Sequence, residues 1–222
     1  MNGKLKMCGV ALLLALSAGS LGAESGVALA VNQGGGWLHK TVMFILPMTT
    51  KPQYAAWVET ADGAYVETLV VTGSAANGKW KGNPKGGRPD ALPVWSHAVA
   101  GKSVDATTSA TVDADSGIAA SAGGLVSGDA YVVRFEINHS FDYNDAWTKK
   151  AKAGDPGYSG VNGQPSLVYE GRFTAGKAGT VALVPVGHGA VDGKDGTVVR
   201  DLSGMTTALD IVQSVSVSIK GE

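Results

Sequence analysis

The 222-residue sequence predicts an all-β protein, an immunoglobulin-like β-sandwich with one short helix and long loops. Three observations lead there. Glycine contributes 32 residues, twice the usual share of about 7%, and punctuates the chain at short intervals. Hydrophobic residues make up 44% and charged residues only 17%, a composition that supports a packed core rather than disorder. Short runs rich in Val, Thr, Ser and aromatic residues recur between Gly, Pro and Asp clusters, the pattern of strands joined by turns.

Taken in order, residues 1–23 read as a secretory signal. Lys4 and Lys6 precede the apolar run 10–16, and small residues follow as far as Ala23. Removing them takes two lysines from 18 basic residues and nothing from 19 acidic ones, leaving 16 and 19. Cys8, the single cysteine, lies ahead of the apolar run rather than at a lipoprotein cleavage point. The mature chain, 24–222, then holds no cysteine, which excludes disulfides, thiolate metal sites and a cysteine nucleophile. An exported domain without disulfides points to a bacterial periplasm. No later run approaches the ~18 apolar residues of a membrane span, so no membrane insertion of the mature chain is expected. The near balance of charge leaves no basic field for nucleic acid.

Strands are expected at 27–31, 41–46, 54–60, 64–72, 130–138, 167–175, 180–186 and 211–220, forming one sandwich domain. Asp62-Gly63 joins the third and fourth as a hairpin. The last strand alternates most cleanly, with Val215, Val217 and Ile219 opposite Ser214, Ser216 and Ser218. Trp57, Leu69, Val133, Phe135, Val168 and Val217 are the expected core. A helix is expected within 90–101, with Asp90 as its cap, Pro93 in its first turn, Gly101 at its end, and Trp95 and Ala98 on one face. The Gly-, Asp- and Pro-rich stretch 149–165 reads as a long loop.

Chemical motifs are sparse. Gly73-Ser74-Ala75-Ala76-Asn77-Gly78-Lys79 has phosphate-loop spacing, but Trp80 stands where a magnesium-binding hydroxyl is needed, so it reads as a glycine-rich hairpin loop. His139, Asp142 and Asp145 form the densest group of potential metal ligands, and His97 is a further candidate; the simpler role for His139 is a backbone hydrogen bond at a strand end. A transition metal on His139, Asp142 and His97 is therefore one expectation. Asp192-Gly193-Lys194-Asp195-Gly196 has too few acids for a calcium loop and reads as a turn. No G-x-S-x-G elbow occurs, and a binding or accessory module is preferred to a hydrolase.

Five segments together resemble a family of bacterial periplasmic proteins known as domain of unknown function 2271. They are Tyr65-Val66-Glu67-Thr68-Leu69, Arg88-Pro89-Asp90-Ala91-Leu92-Pro93-Val94-Trp95-Ser96-His97, Val104-Asp105-Ala106, Glu136-Ile137-Asn138-His139-Ser140-Phe141-Asp142 and Asn162-Gly163-Gln164-Pro165-Ser166-Leu167-Val168-Tyr169. The resemblance implies a companion of membrane PepSY-type proteins and flavin transferases, near exported flavin or iron redox systems. Residues 105–111 also resemble the D-x-x-[ST]-G-A-[ST] signal for covalent flavin attachment. Asp105, Thr108, Ala110 and Thr111 match it, with FMN joined to Thr111, while Ser109 replaces the glycine.

Overall fold

A computed structural model describes residues 27–43, 45–80, 87–102, 107–109, 117–119 and 125–221. The expected secretory signal, Asp105 and Thr111 lie outside them.

The fold is all-β. Among the described residues, nine strands form one sheet in the order β6-β5-β4-β8-β9-β10-β11-β1-β7. These are β1 (Val27–Gln33), β4 (Gln53–Thr60), β5 (Tyr65–Thr72), β6 (Thr107–Ser109), β7 (Gly117–Ala119), β8 (Ala130–Asn138), β9 (Leu167–Thr174), β10 (Gly179–His188) and β11 (Val212–Ile219). A separate ribbon pairs β2 (His39–Met43) with β3 (Leu46–Thr50). Every pairing in the large sheet is antiparallel except β5 with β6.

The sheet curls because β10 serves two neighbours. Its first half, Gly179 to Leu183, pairs with β11, and its second half, Val184 to His188, pairs with β9 across an irregularity between Pro185 and Gly187. A strand that changes partner at such a bend is how one sheet turns a sandwich corner. The two halves then share one apolar interior: Val27, Leu29, Val215 and Val217 come from one side, and Tyr54, Val58, Val133, Phe135, Ile137 and Leu167 from the other. All six expected core residues are buried, Trp57, Val133, Phe135, Val168 and Val217 completely. The alternation of β11 holds, with its valines inward and Ser214 and Ser218 exposed.

Strand β4 is buried on both faces. Tyr54, Ala56 and Val58 face the sandwich interior, whereas Ala55 and Trp57 face a second apolar cluster with Val71, Val168, Leu92, Val94 and Trp95. The last three belong to the 90–101 region, where a helix was expected. There α2 (Pro93–Ala98) lies over the outer face of β4, β5 and β9. Beyond it the face is ionic: Arg134 meets Glu59 at 2.8 Å and Glu170 at 3.6 Å, and Arg172 and Arg200 reach Glu170 at 3.0 and 3.3 Å.

Three expectations need correction. The 41–46 run is not one strand: β2 ends at Met43, and the chain returns antiparallel to it as β3 from Leu46. Gly73–Asn77 is a short helix, α1, rather than a hairpin loop, closed by Gly78 in the left-handed region. Together with α2 and a 3-10 turn at Thr207–Asp210, this makes more than the one expected helix. Asp90 does not cap α2. Leu92 holds that position without a side-chain bond, and Asp90 pairs with Arg88. Pro93 in the first turn and the Asp62-Gly63 hairpin, with φ of 92° at Gly63, are as expected.

Phe135 sits between Tyr54 and Tyr169, with ring centroids 5.9 Å from each. Phe135→Ala is expected to lower the urea unfolding free energy by about 3–5 kcal/mol, while Ser218→Ala on an exposed face changes it by less than about 0.5 kcal/mol.

Candidate functional site

The site is built around Glu136, which is wholly buried on the outer face of β8. Six residues make a helix too short to persist by itself, because nucleation consumes what so few bonds return. Glu136 supplies what α2 lacks. The backbone N–H of Val94 donates to its Oε1 at 3.2 Å, that of Trp95 to its Oε2 at 2.8 Å, and the Ser166 hydroxyl to its Oε1 at 2.6 Å. A second anchor holds the helix from β5: Trp95 Nε1 donates to Thr68 Oγ1 at 3.0 Å, and Tyr65 Oη lies 2.9 Å from the same hydroxyl. A β-carbon at Gly189 would stand 2.5 Å from Ser166 Oγ and from Pro93 Cγ, so only glycine lets the 188–190 backbone close over this carboxyl group.

Burial pushes Glu136 up to about 7, outweighing Ser166, the Trp95 and Val94 amides and Arg134, which all favour the anion. Its proton is therefore in balance near neutrality.

Arg88, just ahead of α2, forms the second part. Its Nη1 donates to Ser140 Oγ at 2.5 Å, and its Nη2 donates to Asp90 at 3.2 Å and to Asn162 Oδ1. Asn162 Nδ2 closes the ring by donating to the Asp90 carbonyl at 2.6 Å. The guanidinium lies over the Trp80 ring, 5.2 Å from its centroid, and its buried Nε–H has no hydrogen-bond partner among the described residues. Arg88, Trp80, Leu92, Trp95 and Ser96, with Ala75 of α1, line a cavity of about 290 Å³. Apolar and aromatic walls with one fixed cation suit a compact planar or apolar group.

The third part contains His139 and Asp142. His139 follows β8 and is nearly buried. Its Nε2 lies 3.0 Å from the Gly36 carbonyl and 3.1 Å from that of Trp37. Carbonyls only accept, so Nε2 carries the proton and Nδ1 accepts from Thr50 Oγ1 at 3.4 Å. Burial, aided by His39 at a ring distance of 5.5 Å, pulls His139 down to about 4, so the ring is neutral at pH 7. Asp142 accepts from Thr207 Oγ1 at 2.6 Å and Gln164 Nε2 at 2.8 Å, and lies 3.8 Å from His39 Nδ1. Burial raises the Asp142 carboxyl although Thr207, His39 and Gln164 pull the other way. Between them Phe141 adopts φ of 66°, the only non-glycine residue with positive φ among the described residues. Its carbonyl accepts from His39 Nε2 at 3.2 Å. These bonds fasten the base of the β2–β3 ribbon to the sandwich.

His97 is placed elsewhere. It is exposed on α2, with Nδ1 2.9 Å from the Pro93 carbonyl, and among the described residues it shares no partner with His139 or Asp142. No group of three or more His, Cys, Asp or Glu side chains disposed to hold a metal ion occurs among the described residues. Thr108 pairs with Val71 in β6, at the sheet edge. Arg88, Glu136, Trp80 and His39 were not singled out for chemistry. The available signal was their membership of, or contact with, the Arg88–His97, Glu136–Asp142 and Asn162–Tyr169 segments, which the fold brings into one network. No family model matches the chain, and no match is found among curated proteins or solved structures.

A pH dependence follows from Glu136. Its proton is held more tightly in the folded chain, about 7, than at the ordinary 4.5, so it favours folding at low pH. At about 1.36 kcal/mol per unit, this contribution falls by about 3 kcal/mol as pH rises from 4.5 to 7. His139 acts oppositely: its contribution is complete above 6.5 and lost as pH falls towards 4. His139 is common to wild type and Glu136→Gln, so it cancels in their comparison. Urea unfolding is expected to show the stability of wild type relative to Glu136→Gln dropping by about 3 kcal/mol across that window. A pH-independent difference contradicts it.

Proposed function

We propose that this protein is an exported periplasmic binding or accessory module of the domain-of-unknown-function-2271 type, working beside a membrane-linked flavin or iron redox system. The cavity walled by Trp80, Arg88 and Trp95 carries this reading. Its arginine is already held by Asp90, Asn162 and Ser140, so the charge is positioned before any ligand arrives. The cavity's Arg88, Pro89, Leu92, Trp95 and Ser96 all come from the Arg88–His97 segment, one of the five that together carry the resemblance.

Titration with free FMN is expected to quench tryptophan fluorescence saturably. Trp80→Ala should weaken binding roughly tenfold, equivalent to about 1.4 kcal/mol. A flat titration, or labelling of the chain by a serine-directed hydrolase probe, contradicts the reading.

One observation favours a second reading, a covalently flavinylated electron carrier. Strand β6 runs parallel to the end of β5, which leads directly into α1, and α1 supplies Ala75 to the cavity wall. Thr107, Thr108 and Ser109, the described residues of the 105–111 stretch, pair with Val70, Val71 and Thr72 at that end of β5. FMN would supply the redox chemistry and the protein its position. Co-expression with a flavin transferase, followed by intact-mass measurement, separates the two readings. A gain of one FMN less water, lost in Thr111→Ala, establishes the carrier; an unmodified mass leaves the binding module.

A further inference from the structure

The β2–β3 ribbon stands outside the nine-stranded sheet and carries an exposed apolar tip. Ile45 is 89% exposed, Leu46 67% and Val42 57%. The register separates two faces. His39, Thr41, Met48 and Thr50 are half-buried towards the protein, whereas Lys40, Val42, Pro47 and Thr49 are exposed. At the base, His39 donates to the Phe141 carbonyl and Thr50 to His139, so the ribbon is fixed in direction. Five-residue strands make it about 16 Å long. Exposed apolar side chains gathered at the end of a ribbon are costly in water, and such clusters are a feature of interaction sites.

We propose that the ribbon tip inserts into the interface of an anionic phospholipid bilayer and holds the protein at the membrane surface. Charge selects this occupant. No Asp or Glu occurs between Val27 and Val58, while Lys40 is exposed behind the tip. Apolar side chains at the end of a ribbon, followed by a cation and no acid on the ribbon itself, match the layering of a bilayer interface. The exposed apolar residues gather at the turn rather than along one strand edge, as pairing with a second strand would need. This inference is independent of the cavity and of any flavin.

The test is co-sedimentation with vesicles of phosphatidylethanolamine and phosphatidylglycerol, 3:1 in one series and with phosphatidylglycerol replaced by phosphatidylcholine in another. It uses the chain beginning at Glu24, which keeps every described strand and helix. Partition is expected to be several-fold stronger with phosphatidylglycerol. It should fall at least roughly tenfold in Ile45→Asp/Leu46→Asp and several-fold in Lys40→Ala. Both Ile45 and Leu46 are exposed, so the double variant should keep the wild-type far-UV spectrum and thermal midpoint. Val42→Asp gives a second measurement on the same tip if the double variant fails to fold. Wild-type chain remaining in the supernatant overturns the proposal, as does equal sedimentation of the wild type and folded aspartate variants. So does a wild-type dimer, dispersed by the aspartates, that does not bind vesicles.

Discussion

The arrangement of the outer face depends on one buried carboxyl group. Glu136 is wholly enclosed on β8, where an anion would ordinarily be expelled, yet three donors converge on it. Two of those donors are the first backbone amides of a helix that could not persist by itself. Burial of the group outweighs the bonds it accepts, and those bonds limit the rise, which is why its pKa is lifted only to about 7. Remove the acceptor and two backbone N–H groups are left buried without partners, a penalty of about 1–3 kcal/mol each. Trp95 would lose its register over Trp57 and Val168, and the cavity wall would go with it.

A second network, centred on the 139–142 and 162–166 loops, ties the periphery to this point. Asn162 orients Arg88, Ser166 orients Glu136, and Gln164 holds Asp142 and the backbone N–H of Thr206. The positive φ of Phe141 persists because its N–H donates to the Val161 carbonyl and its carbonyl accepts from His39. The same few residues thus set both the cavity beside α2 and the direction of the β2–β3 ribbon. The structure places His139 and Asp142 as fasteners of that ribbon. A neutral His139 bonded to two carbonyls and a threonine has both ring nitrogens engaged.

The framework was legible where burial is one-sided. Alternation read β11 correctly, and the strands at 130–138 and 167–175 were located within a residue, because one face of each must enter the core. The apolar run at 41–46 carried no such signal. Val42, Ile45 and Leu46 are all apolar and all exposed, so periodicity could not reveal the reversal between β2 and β3. The helix at Gly73–Asn77 was hidden because glycine, serine and asparagine favour turns locally, and it forms where β5 ends against β6. The cap of α2 was illegible for a different reason. Asp90 stood at a plausible local position, but the group that meets the amides comes from Glu136, more than 40 residues along the chain. Arg88 and Asn162 were visible only as parts of a resembling segment, since their bond joins residues 74 apart.

The central claim is that Glu136 holds the first turn of α2 and, through it, the cavity. Amide hydrogen exchange of Val94 and Trp95, compared with the core of β8, tests it most directly. Protection of both amides in wild type, lost in Glu136→Ala while Val133 and Phe135 stay protected, is the expected result. Fast exchange of Val94 and Trp95 in wild type, or protection unchanged in Glu136→Ala, would contradict it.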